Sequence, residues 1–291
     1  MNLYRITIKL KSSLVTLLKG DTIWGHFVWG IANHEGDETV DKFLEECKTE
    51  NPPLIVSSAF PQGTICKPIP EVKEHGDLSI EKYSEIKKNK KIKFVNARDY
   101  FEDKEGLEFS EKVFENQNSM HNSINRFTNT VEGQNLYSVE EMWAKIGKEF
   151  FDLYILSSYT AERVTQLTKW AFENGYGADS SVGKGNIEVE SDAEIVQPSV
   201  KGKKYVALAP FVLDEKQKVQ NLCADTFIRS GKIGGAFSSS LSPYKKTVIL
   251  FDEGAIFESE EPLQFVGKLL TDIHTDKRIC QSGFAPVVPI E

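Results

Sequence analysis

An α+β fold with two similar halves is what this sequence predicts, and three observations carry the prediction. The chain opens with a period-two strand followed by a helical stripe, and an apolar strand followed by an amphipathic helix recurs from about residue 150. Between them, over about 72–134, periodicity weakens and charge rises, as in an insertion or projecting hairpin. The halves are set at 1–148 and 149–291, with the insertion inside the first.

Each element follows from its local pattern. Tyr4, Ile6, Ile8 and Leu10 alternate with Arg5, Thr7 and Lys9, which makes a half-buried strand. Asp21 offers an N-cap, and Ile23, Phe27, Val28 and Ile31 recur at helical spacing through about Ala32, with Gly25 read as a point of close backbone packing. A second helix over about Glu38–Lys48 buries Val40, Phe43 and Leu44. Leu54–Phe60 and Thr64–Ile69 read as strands around the turn Pro61-Gln62-Gly63. Within the insertion only Ile92–Val95 and Lys112–Phe114 look strand-like, and a short helix is expected near Val139–Ile146. An apolar strand at Phe150–Ser157 leads to a helix over Thr160–Asn174 with Val164, Leu167, Trp170 and Ala171 inward, and Gly175 ends it. Strands follow at about Asn186–Glu190, Lys204–Leu213, Thr247–Phe251 and Ala255–Phe257.

Composition narrows the function. With 291 residues and a net charge of −8, the chain is not a protein that binds nucleic acid over its whole surface. Its lysines nevertheless cluster, at 87–93, at 201–204 and at Lys245-Lys246, while acids dominate 35–50, 99–115 and 252–261, which suits one basic face beside acidic ones. Cys47, Cys66, Cys223 and Cys280 are scattered without C-x-x-C or His at ligand spacing, so no zinc site, no other metal centre and no disulfide framework is expected. The absence of a long apolar run or a basic-plus-apolar leader points to a cytoplasmic protein that does not engage a membrane.

Two loops and one polar segment carry the candidate chemistry. Gly175 to Gly185 concentrates four glycines, two serines and Lys184 between a helix and a strand, which suits contact with phosphate through backbone N–H, hydroxyl and ammonium groups. It is not a P-loop, since five residues separate Gly177 from Gly183 and Gly185 follows Lys184; nor is a complete G-x-G-x-x-G present. A helix end followed by a plain turn is the alternative. His121, Asn122, Asn125 and Arg126 surround Ile124 and Phe127 with groups that read or stack on bases, although a turn anchored by its two apolar residues has the same composition. Arg229 to Ser238 forms a second glycine-rich basic loop, and Lys19, Gly20 and Asp21 precede a helix carrying His26 and two tryptophans. No paired carboxylates, nucleophile–base pair or metal cluster appears by spacing, so binding is favoured over catalysis and neither a catalytic residue nor a cofactor is assigned.

Four stretches together resemble the RAMP superfamily of CRISPR proteins: Gly20-Asp21-Thr22-Ile23-Trp24-Gly25-His26, His121 to Thr128, Gly175 to Gly185, and the ending Gln281-Ser282-Gly283-Phe284-Ala285-Pro286-Val287-Val288-Pro289. Their order and spacing look most like the fourth-subunit family of the type III-A Csm effector complex, over nearly the whole chain. The resemblance implies two ferredoxin-like (RRM-like) modules with an inserted thumb-like hairpin. It also implies a non-nuclease role: gripping the repeat-derived 5′ handle of the guide RNA (crRNA) beside the large polymerase-like subunit and the repeated backbone RAMP subunit. The family usually shows I-D-R-x-T-G where this chain has Ile124-Asn125-Arg126-Phe127-Thr128-Asn129, so Arg126 and Thr128 carry over while Asn125 and Asn129 depart from the pattern. On this reading Gly177, Ser180, Ser181, Gly183 and Lys184 meet handle phosphates, His121, Asn122, Asn125 and Arg126 position bases, and Lys19, Gly20, Asp21, Arg229, Gly231 and Lys232 line the wall. The competing expectation is a RAMP endoribonuclease that processes precursor guide RNA, with His26 or His121 as general base.

Overall fold

The computed structural model describes residues 1–70, 92–101, 113–125, 127–128, 130–235, 237 and 241–290, and at 123, 125 and 131–135 only the backbone. In chain order the first elements are β1 (Asn2–Leu10), α1 (Gly20–Glu35), α2 (Asp37–Cys47), β2 (Leu54–Val56), β3 (Phe60–Pro61), β4 (Thr64–Cys66), β5 (Phe94–Asn96), β6 (Phe114–Asn125) and β7 (Thr130–Ala144). They continue with β8 (Phe150–Ser157), α3 (Ala161–Phe172), β9 (Ile187–Val189), β10 (Glu194–Ile195), β11 (Lys204–Ala207), β12 (Gln220–Cys223), β13 (Thr226–Arg229), β14 (Val248–Phe251), β15 (Ile256–Glu258), β16 (Phe265–Leu270) and β17 (Gln281–Pro289).

β1 alternates as its sequence requires, burying Tyr4, Ile6, Ile8 and Leu10. Its antiparallel partner is β8, in register from Asn2↔Ser157 to Lys9↔Phe150. The sheet runs β10-β1-β8-β2, with β9 also on β1 and β3 on β8. With α1 and α3 as its helices, the chain β1-α1-β2-β8-α3-β9/β10 is a single split β-α-β unit of the ferredoxin-like kind. The expected boundary at 148/149 therefore cuts through one sheet, and the strand and helix over 150–172 complete the first unit instead of starting a second. Hydrophobic pattern identifies a strand and a helix but not which strand they join, and that is why the repeat was misread.

The second sheet is antiparallel, ordered β12-β15-β11-β17-β16. No α-helix is present among the described residues after 173, so the second ferredoxin-like module expected from the resemblance is not seen as such. Alternate residues of β11 face two cores: Val206 and Leu208 join the main core with β1, β8 and the helices, while Tyr205 and Ala207 pack with Phe211 and Phe257 on the far side. β17 is consequently buried from Gln281 to Val288. The Ser58 N–H donates to the Leu208 carbonyl at 2.9 Å, so main chain as well as side chains joins the two sheets.

The insertion expected over 72–134 contains residues outside the described set, but its C-terminal part is a long two-stranded hairpin, β6 with β7, paired from Phe114↔Ala144 to Asn125↔Thr130 with an irregularity between Asn122 and Ile124. This hairpin extends past 134 and takes in most of the segment read as a helix near Val139–Ile146. Pairing with β6, and a two-way backbone exchange between Leu14 and Met142 at 2.9 and 2.8 Å, satisfies those peptide groups as a strand. α1 is capped at Lys19 without a side-chain cap bond, so Asp21 falls in its first turn and is not the cap. Gly30, not Gly25, makes the close approach: a Cβ at Gly30 would stand 2.9 Å from Trp170 Cβ on α3, whereas one at Gly25 meets nothing within 4 Å. Among the described residues no helix is long and apolar enough to cross a membrane.

Candidate nucleic-acid interface

The first glycine-rich loop is closed at its neck by local chemistry. α3 begins under Thr160, whose side chain accepts the Arg163 N–H, and Gly175 turns the chain out of the helix at φ +77°. Buried Tyr176 donates its N–H to the Gly185 carbonyl at 2.8 Å and its hydroxyl to the Leu17 carbonyl at 2.6 Å. Gly185, at φ +63°, must be glycine because a Cβ there would lie 2.0 Å from the Tyr176 carbonyl oxygen. Between these points Ser180–Val182 form one 3₁₀ turn, with Ser181, Val182 and Gly183 exposed. The Val182, Gly183 and Lys184 N–H groups turn inward to the Asp179 and Ser180 carbonyls at 3.1–3.2 Å. The expected phosphate donor at Gly183 is therefore occupied; among the polar side chains of the tip Asp179 and Ser181 are exposed, while Ser180 is half-buried with its Cβ close to Gly175.

Lys184 is also reassigned. Its ammonium donates to Glu141 Oε2 at 2.7 Å and lies 5.9 Å from the Trp143 ring centroid. Ser13 Oγ donates to the same oxygen at 2.8 Å, Ser119 Oγ donates to Oε1, and His121 Nε2 stands 3.9 Å from Oε1. Glu141 is only 2 % exposed. The Lys184 and Ser119 hydrogen bonds hold its carboxyl down to about 2. His121 stacks on Tyr137 at 5.5 Å, and its Nε2 is buried without a hydrogen-bond partner. Glu141 thus brings together the glycine loop, the end of the first strand's connection at Ser13 and the face of the hairpin carrying His121. Nothing in the local sequence singles it out, because its partners lie 22, 43 and 128 residues away.

α1 connects this loop to the second one. The Gly177 N–H donates to His26 Nε2 at 3.3 Å, the Ala178 N–H to Thr16 Oγ1 at 3.0 Å, and a Cβ on Gly177 would meet Thr16 at 2.6 Å. Three residues along the helix, Trp29 occupies the space that Cβ atoms on Gly234 and Gly235 would need, at 2.8 and 2.4 Å. The glycines of the second loop therefore serve a tryptophan ring, while Gly231 accepts the Lys245 N–H and Lys232 is exposed on a bridge to Tyr244.

Four of the expected wall residues are internal. Lys19 is buried, with its ammonium 2.6 Å from both Asp252 and Glu253; burial pulls its pKa down, but Glu253 and Asp252 outweigh this and raise it. Burial, with Asp252 close by, pushes the Glu253 carboxyl up, as expected where two carboxylates share one cation. Gly20 donates to Ser58 Oγ at 3.1 Å, and its missing Cβ leaves room for Ala209. Asp21 receives Arg229 in a two-pronged pair at 2.6 and 2.7 Å and Gln281 Nε2 at 3.2 Å. Lys19, Asp21 and Arg229 thus hold α1 to the second sheet and its hairpin and offer no free charge to RNA. His26 does not fit a general base: burial lowers its pKa to about 4, and its Nε2 already accepts from the Gly177 N–H. Of the hairpin residues, Asn122 is exposed, Asn125 is described by backbone alone, and Arg126 lies outside the described residues.

No family model and no curated protein matches the sequence. Solved structures do match. One chain of a Csm1-Csm4 cassette in complex with pppApA aligns with a TM-score of 0.58 and 15 % identity, over 99 % of this chain and 98 % of that one. One chain of a Csm3-Csm4 subcomplex of the type III-A CRISPR-Cas interference complex aligns with a TM-score of 0.54 and 14 % identity, over all of both chains. Csm4 is the subunit common to the two assemblies. The fold is that of Csm4. Likeness to Csm4 agrees with the RAMP resemblance carried by the four sequence motifs, and it extends from end to end of the chain.

Proposed function

We propose that this chain is a non-catalytic, Csm4-like subunit of a type III-A CRISPR ribonucleoprotein in antiviral defence, binding the 5′ repeat-derived handle of the guide RNA. One observation carries the reading: the glycine loop and the His121 face of the hairpin, far apart in sequence, meet around Glu141 and form one surface. Ser180 and Ser181 hydroxyls supply phosphate contacts there, and His121, Asn122 and Tyr137 supply groups for bases. Asn125 ends the same hairpin strand with Arg126 next to it in sequence, and Lys232, exposed on the second loop, adds a further cation. A Csm1-like large subunit and a Csm3-like backbone subunit are the protein partners, which the acidic faces of a chain at net charge −8 are suited to meet. The cytoplasm is the expected location.

The test is co-purification of the tagged chain with co-expressed large and backbone subunits, followed by sequencing of the 5′ ends of bound RNA. The expected result is one population sharing a common repeat-derived 5′ tag. Recovery of the protein complex without RNA, or with RNA of unrelated 5′ ends, refutes handle binding.

A further inference from the structure

We propose that Glu141 is a positioning residue which fixes the hairpin against the glycine loop, and that Lys184 acts on RNA through Glu141 and not as a phosphate ligand. The inference rests on the RNA-binding reading above for its consequence, but not for its structural part.

Three observations point the same way. First, the carboxylate is shared by groups from three separate segments: Ser13 after β1, Ser119 on β6 and Lys184 at the end of the loop. Removing it leaves all three side chains without their shared acceptor, although main-chain bonds of Leu14 with Met142 and of Gly185 with Ser13 remain. Second, Lys184 is itself mostly covered, at 20 % exposure, with Trp143 beside it and its ammonium held 2.7 Å from Glu141, so that it meets an outside phosphate only by leaving Glu141. Third, His121 contributes no hydrogen bond to the carboxylate, its Nε2 standing 3.9 Å away, and the stack on Tyr137 is what orients its ring. The side-chain tie between hairpin and loop therefore runs through Lys184, with Ser13 beside it, while Ser119 braces the carboxylate within the hairpin. There is also an electrostatic consequence. An unpaired carboxylate beside an RNA path repels phosphate, and the Lys184 pair neutralises it.

Salt dependence separates the two roles of a lysine. A phosphate ligand on single-stranded RNA contributes about 0.7 to the slope of log affinity against log salt concentration, whereas a residue acting through protein geometry contributes none. The experiment measures binding of a labelled mixed-sequence single-stranded RNA to the full chain over a salt series, for wild type, Lys184→Met, Glu141→Gln, the double variant and Lys184→Arg. Hydrogen exchange of the same proteins without RNA is followed at 114–122, 136–144 and 176–186. Lys184→Met is expected to weaken binding at least about fivefold, and the double variant, which leaves no unpaired charge, keeps the wild-type slope. The double variant binds better than Lys184→Met alone, because it carries no unpaired carboxylate, and Lys184→Arg behaves as wild type. Both single variants lose exchange protection in hairpin and loop together. A slope reduced by about 0.7 in the double variant makes Lys184 a phosphate ligand and overturns the proposal. So does unchanged protection in Glu141→Gln. If wild type binds no RNA, the functional reading fails, and hydrogen exchange still decides whether Glu141 joins hairpin to loop.

Discussion

Arg229 looks in sequence like a cation for RNA and in structure like half of an internal ion pair, and the two assignments predict different losses. Asp21 is 1 % exposed and Arg229 19 %, with two hydrogen bonds at 2.6 and 2.7 Å. Removing one member of such a buried pair costs about 3–5 kcal/mol, since the other is left without its counter-charge. The two substitutions fall at different ends of that range. After Arg229→Met, Asp21 keeps Gln281 Nε2 at 3.2 Å and the positive end of α1, in whose first turn it lies, so the loss is about 3 kcal/mol. After Asp21→Asn, Arg229 keeps, of its carboxylates, only the more distant attraction of Glu253 and is set against Lys245, a lysine whose pKa burial lowers and Arg229 lowers further. That loss is closer to about 5 kcal/mol. Guanidinium denaturation of wild type, both single variants and the double variant measures the losses and their coupling. The expected order is Asp21→Asn below Arg229→Met in stability, with a coupling of about 2 kcal/mol or more. Losses under about 1 kcal/mol for both, or an Arg229→Met variant of unchanged stability and weakened RNA binding, refute the internal role.

His26 sets a pH window. Its pKa is near 4 in the folded chain against the ordinary 6.5, so the folded state disfavours the proton; stability is complete above about 6.5 and is lost as pH falls toward 4, by at most about 3 kcal/mol. Denaturation curves of His26→Gln should lack this component, and a parallel pH dependence in variant and wild type speaks against it. The loop glycines separate by role as well. Gly183→Ala meets no atom within 4 Å and costs only the strain of φ +92°, about 1–2 kcal/mol, whereas Gly185→Ala collides with the Tyr176 carbonyl at 2.0 Å and opens the loop neck at a cost above about 3 kcal/mol. Thermal unfolding of the two variants should show this order, and equal losses would count against the neck.

Local pattern was enough for β1, α1, α2, β8, α3 and β9, because alternation and helical stripes are properties of neighbouring residues. It failed at 139–146, where two glutamates, a methionine and a tryptophan suit a helix until β6 lies alongside. β16 and β17 were not read as strands at all, since burial on both faces removes the alternation from β17.

By itself the sequence determined the α+β class, the glycine-bounded loop after α3 and the resemblance to RAMP proteins. The tertiary structure alone decided that β1 pairs with β8, that Lys19, Asp21 and Arg229 point inward, and that Lys184, Ser13 and Ser119 share Glu141. The physical reason is the range of the interactions. Propensity and periodicity act over a few residues, whereas a charge is defined by its partner, and Arg229 and Lys19 find theirs 208 and 233 residues away.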